Sequence, residues 1–103
     1  MEMYRQGDVL VRRIRSIPKT AKPEPRNGPI ILALGEVTGH KHAIEEFDKV
    51  DVFVGAKGEM YLRVKETAPL VHEEHGAIAL PVGDYDRVVQ REYEPVGVRN
   101  VTD

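Results

Sequence analysis

The chain has 103 residues, enough for one domain with a modest core and too few for two. It is 41% apolar and 31% charged, with a net charge of −2 that argues against general affinity for nucleic acid. It has no cysteine, which excludes disulfides, thiolate metal sites and cysteine nucleophiles, so any metal must be held by nitrogen and oxygen. No stretch approaches the ~20 apolar residues of a membrane-spanning helix. "MEMYRQGDVLVRR" lacks the charged and apolar regions of a secretory signal, so the expected location is cytoplasmic.

In chain order, "GDVLVRRI" (7–14) is the first predicted strand, rich in β-branched residues. "SIPKTAKPEPRNGP" (16–29) follows, and its four prolines make it an exposed connection, read as a mobile spacer or as a lid or partner contact. "PIILALGEV" (29–37), "HKHAIEEF" (40–47) and "KVDVFVG" (49–55) are further strands. In "EMYLRVKE" (59–66), Met60, Leu62 and Val64 alternate with Tyr61, Arg63 and Lys65, the mark of a strand with one buried face. "PLVHE" (69–73) and "AIALP" (77–81) are short runs split by "EHG", and "DYDRVVQREY" (84–93) is the last strand. Short strands at close spacing with glycine turns predict an all-β fold, a single small β-sandwich or barrel over residues 1–103 with little helix.

Charge is unevenly placed. Residues 1–30 carry seven bases against three acids, a balance of +4, and the remainder eight bases against fourteen acids, a balance of −6. Arg12, Arg13, Arg15, Lys19, Lys22 and Arg26 thus form a candidate basic edge for a phosphate-bearing partner. A solvated face is the competing reading, because no aromatic residues interleave for base stacking.

All four histidines fall in two tight pairs, His40/His42 and His72/His75. On a strand, His40 and His42 project to one side about 6–7 Å apart, and Ile44 and Glu46 continue that face. His72 and His75 would face oppositely on a straight strand, but a turn or bulge at "EEHG" lets both point inward. Imidazoles with carboxylates suit a divalent ion such as zinc, iron(II), manganese, nickel or copper. The expectation is one ion shared between His40 and His42 and at least one of His72 and His75, with Glu73 or Glu74 as a candidate general base beside it. A surface or hydrogen-bonded role for each histidine is the competing reading.

These residues resemble the motifs of cupins, small β-sandwiches of two curled sheets. The first cupin motif is glycine, five residues, His-x-His, three or four residues and glutamate. Here Gly35, four residues, His40-Lys41-His42, three residues and Glu46 approach it. The second motif has glycine, five residues and Pro-x-Gly; Gly76, four residues and Pro81-Val82-Gly83 approach it, while Asp86 stands where a histidine is expected and Gln90 where an asparagine is. The resemblance implies a divalent metal held by His40, His42 and Glu46, with Asp86, His72 or His75 as the fourth ligand. It implies a metal-dependent enzyme or sensor of a small molecule, whose reaction type stays open. The alternative is a non-enzymatic module that binds protein or nucleic acid, with a structural metal or none. A homodimer through an exposed sheet face is a further expectation.

Overall fold

In the computed structural model, which describes residues 2–34 and 40–90, two antiparallel sheets face each other. The strands are β1 (Met3–Gln6), β2 (Val9–Ile14), β3 (Lys22–Glu24), β4 (Ile30–Leu34), β5 (Lys41–Ile44), β6 (Val50–Val54), β7 (Met60–Val64), β8 (Ala68–Val71), β9 (Ile78–Leu80) and β10 (Gly83–Val89). The six-stranded sheet runs β1-β2-β10-β7-β6-β3 and the four-stranded sheet β4-β5-β8-β9. The protein is an all-β small sandwich. Among the described residues no helix is long and apolar enough to cross a membrane.

Period-two burial explains the two layers. In β7, Met60, Leu62 and Val64 are buried while Arg63 is exposed. Leu62 pairs with Val52 on one side and Tyr85 on the other, so one row of inward side chains crosses three strands. Val9 and Val11 extend that inner face on β2. Ile30, Leu32, Ile44, Ala68, Leu70 and Leu80 meet it from the smaller sheet, all fully buried. Each large apolar side chain buried in this way contributes about 1.5–3 kcal/mol against the entropy of folding.

Three sequence expectations change. The strand expected from Gly7 starts at Val9: an unexpected β1 pairs with β2 through Gln6↔Val9, with Gly7 and Asp8 as the two-residue turn between them. Gly7 has φ +60°, as the first residue of a primed hairpin turn requires. The proline-rich connection contains β3, which pairs along β6 through Lys22↔Val54 and Glu24↔Val52. Pro23 fits because β3 is the edge of its sheet, where a missing donor costs no ladder bond, and buried Ile17 anchors the segment upstream. The chain after Ile44 leaves the sheet and makes one 3₁₀ turn, Phe47–Lys49. The parts of the predicted strands at 35–37 and 91–93 lie outside the described residues.

The basic edge is not one surface. Neighbouring residues of a strand face opposite ways, which separates Arg12 from Arg13. Arg12 makes a two-bonded pair with Asp86, at 3.0 and 2.7 Å, on the outer face. Arg13 pairs with Glu2 and lies over the Tyr85 ring, and Arg26 pairs with Glu24. The first-thirty excess of charge is thereby partly neutralised within the fold.

Candidate metal centre

The register of β5 and β8 builds the centre of the histidine group. Ala43 pairs with Val71, so the next residue along each strand brings His42 and His72 side by side. Their ring centroids are 4.2 Å apart. His72 also lies 4.6 Å from the His75 ring and 5.6 Å from the His40 ring, and His42 stacks at 6.1 Å on His75. The two pairs, thirty residues apart in the chain, form one cluster with His72 at its hub.

Residues 72–75 turn as the glycine-flanked sequence allows. The His72 Nδ1 accepts from the backbone N–H groups of Glu74 and His75, at 3.0 and 3.2 Å, and so closes the turn on itself. Glu73 reaches back to β5, where its carboxylate accepts from the Lys41 N–H at 2.9 Å. That bond, with one from its own N–H, holds the Glu73 carboxyl below the usual carboxylate range, so it remains an anion in mildly acidic solution. His40, just before β5, has Nδ1 3.5 Å from a Glu74 carboxylate oxygen.

One donor atom each from His40, His72 and Glu73 lie within 4.8 Å of one another. Two imidazoles and one carboxylate in that reach could hold a divalent ion, with coordination positions left for other ligands. Glu73, expected as a base beside the ligands, therefore stands among the donors. A groove of about 260 Å³ adjoins it, lined by Lys41, Ala43, Glu45, Val71, His72 and Glu73. A larger hollow of about 470 Å³ lies between β3 and the 3₁₀ turn, with no histidine in its lining. The donor chemistry sits at the smaller one.

Two residues named for the cupin set stand elsewhere. Glu46 lies beyond the end of β5, where the chain has left the sheet, and forms an ion pair with Lys49. Asp86 neighbours the inward Tyr85 on β10, so it faces outward and is taken by Arg12. Gly35 lies outside the described residues. The donors gathered here differ from the cupin ligand set.

His42 has a different role from His40. It shares the inward face of β5 with Ile44 and is 3% exposed. Its Nδ1 lies 2.8 Å from the Gln6 side-chain oxygen, and Gln6 is itself 2% exposed. The Gln6 amide nitrogen donates to the carbonyls of Leu70 and Gly76, at 3.0 and 2.8 Å. One buried amide thus ties the end of β1 to β5, to β8 and to the turn after it. Gly7 lets the hairpin press close: a methyl there would stand 2.7 Å from His75 Nε2 and 3.3 Å from His42 Cε1. Sequence reading missed Gln6 and Asp8. The available signal was Gly-Asp between two apolar-alternating runs, a hairpin-turn pair that places both residues at a strand end.

Burial lowers the His42 pKa, the neighbouring His72 and His75 lower it further, and Asp8 partly opposes them. The folded chain therefore resists a proton that the unfolded chain accepts near pH 6.5. Above that pH both states are neutral at this position and stability is flat. As pH falls through about 6.5, the unfolded state binds more protons and stability drops, levelling only below the folded pKa. Urea unfolding of chelator-treated protein between pH 8 and pH 5 should show this decline, and His42→Asn should remove much of its slope. An unchanged slope in the variant would assign the acid sensitivity to other groups.

A family model described as Domain of unknown function (DUF8820) matches residues 5–90. The chain belongs to that family. The matched span contains both histidine pairs, Glu73, Gln6 and Asp8. No curated protein and no solved structure is similar enough to match the chain.

Proposed function

We propose that this protein binds a divalent metal ion through His40, His72 and Glu73 and presents it to a small molecule in the adjoining groove. The convergence of these three donors within 4.8 Å carries the reading. It is supported by the Lys41 N–H that holds Glu73 in place as an anion. Nitrogen and oxygen donors favour zinc, iron(II), manganese or nickel over softer ions. Three protein ligands leave room for a bound water or a ligand oxygen, the arrangement an enzyme or a small-molecule sensor uses. In this reading Lys41, at the groove wall, attracts an anionic group and Glu74 stays beside His40 without joining the set.

His72 makes the proposal specific. Its Nδ1 is an acceptor of two backbone N–H groups, so a ring that binds metal through Nε2 must take a proton at Nδ1 and give those bonds up. Metal should therefore shift the amide resonances of Glu74 and His75 as well as the imidazoles. Elemental analysis of untagged protein, with His40→Ala/Glu73→Gln as the comparison, tests the reading directly. The double variant should lose one equivalent of metal, and zinc added to stripped wild type should move the Glu74 and His75 amides. Equal metal content in both proteins would sink it.

A second reading is a non-enzymatic protein- or nucleic-acid-binding module in which the cluster is a brace. What favours it is the Gln6 amide, which links the two sheets at the cluster. A metal whose removal lowers the melting temperature steeply, with no ligand response in the groove, would select this reading.

A further inference from the structure

Arg87 places a cation among apolar side chains. Alternate residues of a strand share a side, so Arg87 lies on the inner side of β10 with Tyr85, and the register sets it opposite the fully buried Val11 of β2. From there it crosses the gap between the sheets, and its Nη1 donates to the Leu32 carbonyl at 2.6 Å. The local structure of β4 explains that bond. The β4–β5 register shifts between Ile31 and Ala33, which leaves Leu32 without a residue paired opposite it. Leu32 is fully buried while Leu34 is 58% exposed, so the guanidinium stands at the rim of the interior. The rest of the group is not satisfied in this way. Its Nε is the one buried side-chain nitrogen or oxygen without a hydrogen bond among the described residues. Burial lowers the Arg87 pKa and no neighbouring charge opposes it, whereas the hydrogen bond and charge of Asp86 raise that of Arg12.

A guanidinium stays charged in a protein, and a charge withdrawn from water is stabilised by a counter-charge. Arg12 shows what one edge of the group takes. Its Nε and Nη2 donate side by side to the two oxygens of Asp86. In Arg87 the protein engages Nη1, and the Nε–Nη2 edge is the one left over. We infer that this edge of Arg87 binds an oxyanion, the carboxylate or phosphate of a small molecule, at the rim between β10 and β4. The Leu32 bond fixes the guanidinium before the anion arrives, which reduces the ordering cost of binding. Arg87 is half-buried while its Nε is covered, so the oxyanion approaches past Nη2. The site shares no residue with His40, His72 and Glu73, so neither reading depends on the other.

Nitrogen-15 spectra of the arginine Nε–H groups test the inference on chelator-treated full-length protein, where no metal ion competes for the anion. Sodium acetate and sodium phosphate are titrated separately, at an ionic strength held constant with sodium chloride. The Arg87 Nε–H resonance should move and saturate with at least one of them, and the tighter binder tells a carboxylate ligand from a phosphate one. Arg87→Lys keeps the charge but lacks the fork, and should weaken that binding by about tenfold or more, read from the Leu32 and Ala33 amides. Arg12→Lys should leave it unchanged, because Asp86 already takes that fork. An Arg87 Nε–H that responds to neither anion beyond its response to chloride overturns the site, and this wild-type result decides even where the lysine variant does not fold. Binding of equal strength in a folded Arg87→Lys overturns it as well.

Discussion

Gln6→Leu should lower the free energy of unfolding by about 3–5 kcal/mol. Leucine has a similar size, so packing is largely kept and the cost is polar. Three groups lose their partner: the His42 Nδ1, which faces the Gln6 oxygen, the Leu70 carbonyl and the Gly76 carbonyl. A buried group left without a hydrogen bond costs about 1–3 kcal/mol, and the partly buried Gly76 bond falls at the low end because water can replace it. The loss is a large share of the ~5–15 kcal/mol that stabilises an ordinary domain. Urea unfolding at pH 7.5 measures it. A loss below about 1 kcal/mol would mean that water enters and satisfies all three groups.

Tyr85→Ala should cost a comparable amount, about 3–5 kcal/mol, and Tyr85→Phe only about 1 kcal/mol. Tyr85 is fully buried, in the middle of the larger sheet between β2 and β7. Its ring meets Tyr4 edge-on with centroids 6.1 Å apart and carries the Arg13 guanidinium 5.6 Å from its centre. Gly83 permits that cover, since a Cβ there would collide with the guanidinium, and its φ of +154° suits glycine. Alanine would leave a cavity and strip Arg13 of its platform. Phenylalanine keeps both and loses only the hydroxyl bond to the Pro81 carbonyl, 2.8 Å long. Denaturant midpoints of the two variants should differ accordingly. Equal losses would show that the hydroxyl, not the ring, holds β10 to its neighbours.

Much of the fold is legible in the chain because strand burial has a period of two. Met60, Leu62 and Val64 announce one buried face before any partner is known, and their neighbours obey it. The same rule gives no sign of β1, and the strand expected from Gly7 begins instead with the two-residue turn that joins β1 to β2. It fails again at β3, whose residues are all exposed and whose Pro23 masks a strand held by its edge pairing to β6. β3 has no buried face to pattern, so its composition carries little signal.

For the candidate site, the residue types and the pairing of the histidines come from the sequence alone. Side-chain chemistry there already restricts a metal to nitrogen and oxygen donors. Which carboxylate joins the histidines is a tertiary matter. Glu46 follows the right spacing on paper, but the chain turns after Ile44 and Lys49 engages it. Asp86 lies on an outward position of the other sheet, where the β2 register delivers Arg12 to it. Glu73 is brought to the donors by the turn that His72 closes and by the Lys41 N–H across the strand gap. Gln6 and Asp8 enter from a hairpin more than thirty residues away, through a contact between layers. Sequence patterns report which side of an element is buried. They do not report which residue of another sheet will meet it there, because that depends on register, strand ends and the packing of the two layers together.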